Sequence, residues 1–137
     1  MPAPTTTEPV RDPDTGDVEG FQVGVVTIDG EAHAVALADN RGRRSRGLQG
    51  VTDLGDLSGM LFSWGEPTAS VFTMEDTLIP LDIAFMDRDG VVLAVLEMEP
   101  CATSTCPNYG VDPVYWFALE SPLGSLGLEP GDEVLLP

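Results

Sequence analysis

IPLDIAFMDRDGVVLAVLEM, residues 79–98, is the stretch that decides the fold. Its first half opens on Pro80 and then alternates: Leu81, Ile83 and Phe85 share one face of an extended chain, and Asp82, Ala84 and Met86 share the other. Asp87-Arg88-Asp89-Gly90 follows as a tight turn, and Val91–Met98 returns as an apolar run read as a central strand. Two strands joined by so short a connection must be antiparallel.

The same signals recur on either side. Phe21–Ile28 alternates and is rich in Val, Asp29-Gly30 supplies a type I′ hairpin turn, and Ala32–Leu37 is the returning strand. Asp39 or Asn40 can cap a short helix over Arg41–Gln49, which Gly42 and Gly47 weaken. Thr52–Ser58 reads as a loop, and Met60–Trp64 and Ser70–Met74 as further β segments. Beyond the central hairpin, Val114–Leu119 is a strand, Ser121–Leu128 a helical turn and Glu133–Leu136 a last strand. The pattern predicts an α+β domain, mostly antiparallel β, with a curled or barrel-like sheet of about eight strands and one or two short helices. No strand–helix–strand crossover of ordinary length is expected.

At 137 residues the chain is one domain, long enough to bury a real core. Residues 1–20 are rich in Pro, Thr, Asp and Glu and are read as a flexible acidic leader, leaving 21–137 as the globular unit. The net charge is −17, and all six basic residues are Arg. This opposes nucleic-acid binding, which requires a basic stripe, and a polybasic membrane surface. No apolar run is long enough for a transmembrane helix. The charge is uneven, because Arg41, Arg43, Arg44 and Arg46 form one block on an otherwise acidic chain. Such a block binds an anion or pairs with neighbouring carboxylates, pairing being the commoner outcome.

Cys101 and Cys106 lie in a Pro-bracketed loop with C-x4-C spacing, unlike a C-x-x-C redox motif. With one His in the chain they do not make an ordinary zinc site. A disulfide fits best and is worth roughly 2 kcal/mol by loop-closure entropy. Disulfides persist in oxidising compartments. The expectation is therefore an extracytoplasmic protein, exported or lipid-anchored, with the polar leader as its tether. No signal-peptide h-region is present in this sequence.

Chemistry-bearing motifs are sparse. His33, the one possible catalytic base of its type, sits between alanines in a strand and reads as a packing residue. Asp12, Asp14 and Asp17 begin like a calcium loop but lack its glycine and closing glutamate. Gly-Leu-Gly near 124–128 lacks dinucleotide-binding spacing. Asp82 stands out because Asp is a poor strand former. It is either a hydrogen-bonded structural carboxylate or a cleft carboxylate with a shifted pKa. Met74 and Thr77 precede it in a tight loop, where Met74 reads as core filler. Trp64, Tyr109, Tyr115 and Trp116 are aromatic candidates for a binding face.

Taken in order, Arg46-Gly-Leu48, Gly59-Met-Leu-Phe62, Phe72-Thr-Met74 with Thr77, Ile79–Phe85 and Asp89-Gly90-Val91 resemble the pattern of domain of unknown function family 192. Pro100-Cys101, Cys106-Pro107, Tyr109, Ala118-Leu119-Glu120, Gly124 and Gly131-Asp132 extend the resemblance over roughly 21–137. Gln49, Thr73, Glu75 and Asp76 depart from it: a loop that resembles FWMKNT has lost its Lys and gained acid. The resemblance implies a small, often exported, β-rich bacterial or archaeal domain without an assigned activity. By matched position it implies that Arg46, Met74, Thr77 and Asp82 meet in space, with Arg46 neutralising Asp82, and Tyr109 joins them as a ligand-binding candidate.

Three functions follow as expectations. The first is a monomeric binding or accessory module of the cell envelope, with an envelope ligand or protein as partner and no cofactor. The second is a hydrolase or lyase using Asp82 with Arg46. The third is a divalent-cation-binding acidic domain, for which no metal ligands are assigned.

Overall fold

A computed structural model describes residues 12–137. It contains β1 (Gln22–Ile28), β2 (Glu31–Ala38), α1 (Arg41–Arg46), β3 (Gly59–Thr68), β4 (Leu81–Met86), β5 (Val92–Met98), β6 (Tyr115–Pro122) and β7 (Val134–Leu135). The strands form one seven-stranded sheet in the order β5-β4-β6-β3-β2-β1-β7. The sheet curls until its ends meet. Val91 and Glu133 form a bridge, and Val92 exchanges hydrogen bonds with Asp132 and Gly131, each 2.8 Å.

Both hairpins form as expected, β1 against β2 and β4 against β5. Four expectations are corrected. The sheet is mixed, because β2 and β3 run parallel, from Val35 beside Gly59 to Ala38 beside Phe62. Residues 39–58, with α1 inside them, are therefore the crossover that had not been expected. The eighth strand, at 70–74, is reduced to an isolated bridge between Phe72 and Tyr109. Residues 121–128 form no helix; β6 runs on to Pro122 and a turn follows. The run Val92–Met98 lies at the end of the strand order, and the central strand is β3, flanked by β6 and β2.

Alternation along the strands builds a core on each face. Val26, Ile28, Val35, Leu61, Ala84, Met86, Leu119 and Val134 fill the inside of the curl, with Leu126, Leu128 and Leu136 packed against them. Ala36, Met60, Phe62, Leu81, Ile83, Phe85, Tyr115 and Ala118 face outward. These are covered by Leu48, Val51, Leu54 and Leu57 of the crossover and by Met74. An antiparallel sheet usually leaves one face to water; here the crossover and the 69–79 loop cover it.

The leader boundary at residue 20 also moves. Val18 is buried in the outer core. Asp14-Thr-Gly-Asp17 and Asp53-Leu-Gly-Asp56 dock as two reciprocal turns. Asp14 N–H donates to the Asp56 carboxylate (2.9 Å), Asp56 N–H donates to the Asp14 carbonyl (2.6 Å), and Asp17 N–H donates to the Asp53 carbonyl (2.7 Å). Gly16 and Gly55 have φ of 55° and 61°, and a Cβ on either would collide with the opposite turn's backbone. Residues 12–20 are thus fastened mainly by polar contacts, with Val18 as the one buried apolar anchor. The rest of the expected leader lies outside the described residues.

Candidate functional site

The site grows from the crossover. Asn40, extended at φ −136°, caps α1 by accepting the Arg43 N–H at 2.9 Å. Gly47, at φ 47°, ends the helix and donates its N–H to the Arg43 carbonyl. No residue of this helix is buried, so its own packing does not hold it. Its arginines tie it down. Arg43 pairs with Asp39 at 3.2 Å and donates to the Gly20 carbonyl. Arg44 donates to the Ser63 carbonyl at 2.8 Å and lies over the Trp64 ring, 5.4 Å from its centroid. Arg46 lies over Phe21 at 5.2 Å.

Between this helix and the sheet is a cavity of about 470 Å³. Arg41, Arg44 and Arg46 border it on the helix side, and Phe62, Trp64 and Phe72 supply an aromatic wall. The wall is rigid because its rings interlock edge-on. Phe62 and Phe72 are 4.9 Å apart, Trp64 and Tyr115 5.3 Å, and Phe85 and Tyr115 4.8 Å. Tyr115 is fully buried, and its hydroxyl donates to the Ser70 carbonyl at 2.7 Å. Burial raises its pKa.

Glu120 also lines the cavity, with only 4% of its surface exposed. It sits on β6, an interior strand of the sheet, opposite Met60 of β3 and Ile83 of β4. The apolar surroundings push its carboxyl from an ordinary 4.5 up to about 8, burial being the sole cause. The only ion pair among the described residues is Arg43–Asp39, so the arginines of the mouth do not neutralise Glu120.

The expected cluster divides. Arg46 and Thr77 reach the cavity. Met74 is 1% exposed and fills the outer core, as its reading as core filler anticipated. Tyr109 packs against that core and fastens Phe72, each residue's N–H donating to the other's carbonyl at 2.8 Å. Asp82 is elsewhere. It shares a face with Ala84 and Met86, toward the inside of the curl, and accepts the Gly124 N–H at 2.7 Å. The expected Arg46–Asp82 pair is therefore absent, because the sheet stands between them. Glu120 was missed as a site residue although it carried the signal that singled out Asp82, an acid within an apolar strand.

Cys101 and Cys106 are disulfide-bonded, with Cα atoms 5.9 Å apart. The bonded loop backs the wall that carries Thr77. Cys101 N–H donates to the Met74 carbonyl and Asp76 N–H to the Cys101 carbonyl, both at 3.3 Å. From the helix side, Gly50 N–H donates to the Asp76 carbonyl at 2.9 Å and the Gln49 amide to the Glu75 carbonyl at 3.3 Å. The acids that replace Lys-Asn in this loop, Glu75 and Asp76, are exposed, and the loop's backbone makes these bonds. His33 Nδ1 lies 3.0 Å from the Ser58 hydroxyl, part-buried.

Comparison with known proteins agrees with this architecture. A crystal structure of a protein of unknown function from Novosphingobium aromaticivorans DSM 12444 superposes with a TM-score of 0.75 at 30% identity, covering 93% of this chain and 94% of that one. A second, from Sinorhizobium meliloti 1021 and described as a candidate transcription regulator, superposes with a TM-score of 0.70 at 26% identity, covering 87% of this chain and 96% of that one. Comparison with curated proteins finds no match. The pattern of domain of unknown function family 192, described as Uncharacterized ACR, matches residues 24–136, and the chain belongs to that family.

Proposed function

We propose that this chain is a binding module that takes a small anionic ligand in the cavity beneath α1 and that it works outside the cytoplasm, at the cell envelope. One observation carries the binding reading. On a chain of net charge −17, Arg41, Arg44 and Arg46 border one cavity, and none has a carboxylate partner among the described residues. An arginine carries five N–H donors in a planar fork that suits carboxylate or phosphate. Arg44 commits one contact to Ser63, and the stacked rings beneath Arg44 and Arg46 orient their guanidinium groups. A cavity of about 470 Å³ is the size of a small-molecule site.

The envelope reading is supported by the Cys101–Cys106 disulfide, which an oxidising compartment would maintain. No helix among the described residues is long and apolar enough to cross a membrane. The hydrolase or lyase reading loses its motive, because Asp82 and Arg46 are not neighbours. For the cation reading, no group of three or more His, Cys, Asp or Glu among the described residues is arranged to hold a metal ion.

Calorimetric titration with ethyl phosphate and with propanoate tests the binding reading. At least one should bind, and Arg44→Ala and Arg46→Ala should each weaken it about tenfold, as loss of a charge-assisted hydrogen bond does. Binding that both substitutions leave unchanged overturns it. The envelope reading predicts that protein recovered from its native cells carries the disulfide; two free thiols by mass spectrometry would remove its support.

A further inference from the structure

A buried carboxyl at the floor of a cationic cavity needs a reason. Glu120 is more than nine-tenths buried, and no hydrogen bond or ion pair to another described residue satisfies it. As a structural feature it is costly, since glutamine or leucine would fill the same position without desolvating an acid. No side-chain oxygen or nitrogen that is sealed from solvent lacks a partner among the described residues. The Glu120 carboxyl thus keeps its access through the cavity that it lines. Its neighbours across the strands, Met60 and Ile83, offer it nothing polar.

We infer that the ligand is a zwitterion, whose anionic group is held by the arginines at the mouth and whose ammonium is held by the Glu120 carboxylate at the floor, beside the faces and edges of Phe62, Trp64 and Phe72. This rests on the anion-binding reading above and extends it. The cavity's charges differ in burial: Arg41 and Arg46 are exposed and Arg44 half-buried, whereas its single acid, Glu120, is buried. A simple anion uses only the guanidinium groups. A ligand ammonium supplies the one partner that the acid lacks, and aromatic rings attract a cation through their negative faces.

Proton balance follows directly. In the empty cavity at neutral pH Glu120 holds its proton. When the ammonium arrives, the carboxyl releases that proton to solvent and the resulting carboxylate pairs with the ligand's charge. The other charged groups on the cavity are Arg41, Arg44 and Arg46, and arginine keeps its charge throughout this range. The rest of the lining, Leu48, Gln49, Phe62 and Thr77 among it, carries no side chain that titrates in this range.

Matched ligand pairs that differ in one amine test the inference: phosphorylethanolamine against ethyl phosphate, and β-alanine against propanoate. The phosphate and carboxylate arms distinguish the two sources of the anionic group. In at least one pair the zwitterion should bind about tenfold tighter or more, the effect of one charge-assisted contact. Its binding at pH 7 should release protons, measured by calorimetry in buffers of different ionisation enthalpy. Glu120→Gln should abolish both the preference and the proton release while retaining ethyl phosphate or propanoate binding. Equal binding within both pairs, or proton uptake by wild-type protein, overturns the zwitterion inference and leaves the anion site intact. Absence of binding by all four compounds overturns both. The proton measurement uses wild-type protein and holds even if the Glu120 variant does not fold.

Discussion

Asp82 and Glu120 form a natural pair for comparison. Each is an acid inside an apolar strand, on adjacent strands of one sheet. Asp82 stands opposite Ser121, and Glu120 stands opposite Ile83, so the two are one residue out of step. One step in a pleated sheet reverses the face. Asp82 faces the inside of the curl at its end, where it accepts the Gly124 N–H and fastens the turn leading to Leu126 and Leu128. Glu120 faces the outer core, makes no side-chain hydrogen bond or ion pair to a described residue there, and lines a cavity. The same residue class in the same setting therefore fastens a turn on one face and lines a cavity on the other. What lies above the face decides which.

The most severe way to break this comparison is at Gly59. Its Cβ position is occupied by the Glu120 carbonyl of the neighbouring strand. Gly59→Ala should force β3 from β6, destabilise by more than about 4 kcal/mol and remove the floor beneath the cavity. Denaturant titration would show it.

Glu120→Gln comes next, and its effect depends on pH. Folding lifts the Glu120 pKa from 4.5 to about 8, so between those values the folded protein holds a proton that the unfolded chain has released. Wild-type stability from this group is therefore lost as pH rises through that window. The variant should match wild type near pH 4.5 and be the more stable above pH 8. Denaturation midpoints across that range give the difference, and a constant difference would contradict the assignment.

Asp82→Ala should cost about 0.5–1.5 kcal/mol by removing an exposed hydrogen bond to the Gly124 N–H. It should leave anion binding unchanged, which separates the pin from the site. A loss of binding on this substitution would merge the two faces.

The smallest effect is expected at the reciprocal turns. Asp17 accepts hydrogen bonds from Thr52 N–H and hydroxyl and from Asp53 N–H, and these hold its pKa below 3.8. Its sign is opposite to that of Glu120: its contribution is present above pH 3.8 and lost as pH falls through its lowered pKa. Asp17→Asn should speed amide exchange at Thr52 and Asp53 at neutral pH and leave the cavity untouched.

Much of the sheet was legible. Both Asp-Gly hairpins and most strand positions follow from alternation and turn chemistry, which act within a few residues. The disulfide was legible from its Pro-bracketed spacing. The parallel β2–β3 pair was not, because α1 has no apolar stripe and buries nothing, leaving no periodic signal of a crossover. The docking of residues 12–20 was hidden for a related reason. Val18 is its single buried apolar anchor, and the rest is carried by backbone and carboxylate bonds to a partner turn far along the chain.

By itself the sequence determined local geometry: which residues are extended, where the chain turns, which side chains share a face of each strand, and that one arginine block stands on an acidic chain. These depend on steric and hydrogen-bonding preferences between near neighbours. Only the tertiary structure decided what each face meets. Alternation already separated Asp82 from Ile83 and Phe85, but whether that separation leads to a turn or to a cavity depends on residues 39–58 and 69–79 crossing the sheet. The arginines likewise turned away from Asp82 toward Phe21 and Trp64, because a charge follows the partner that folding brings near it.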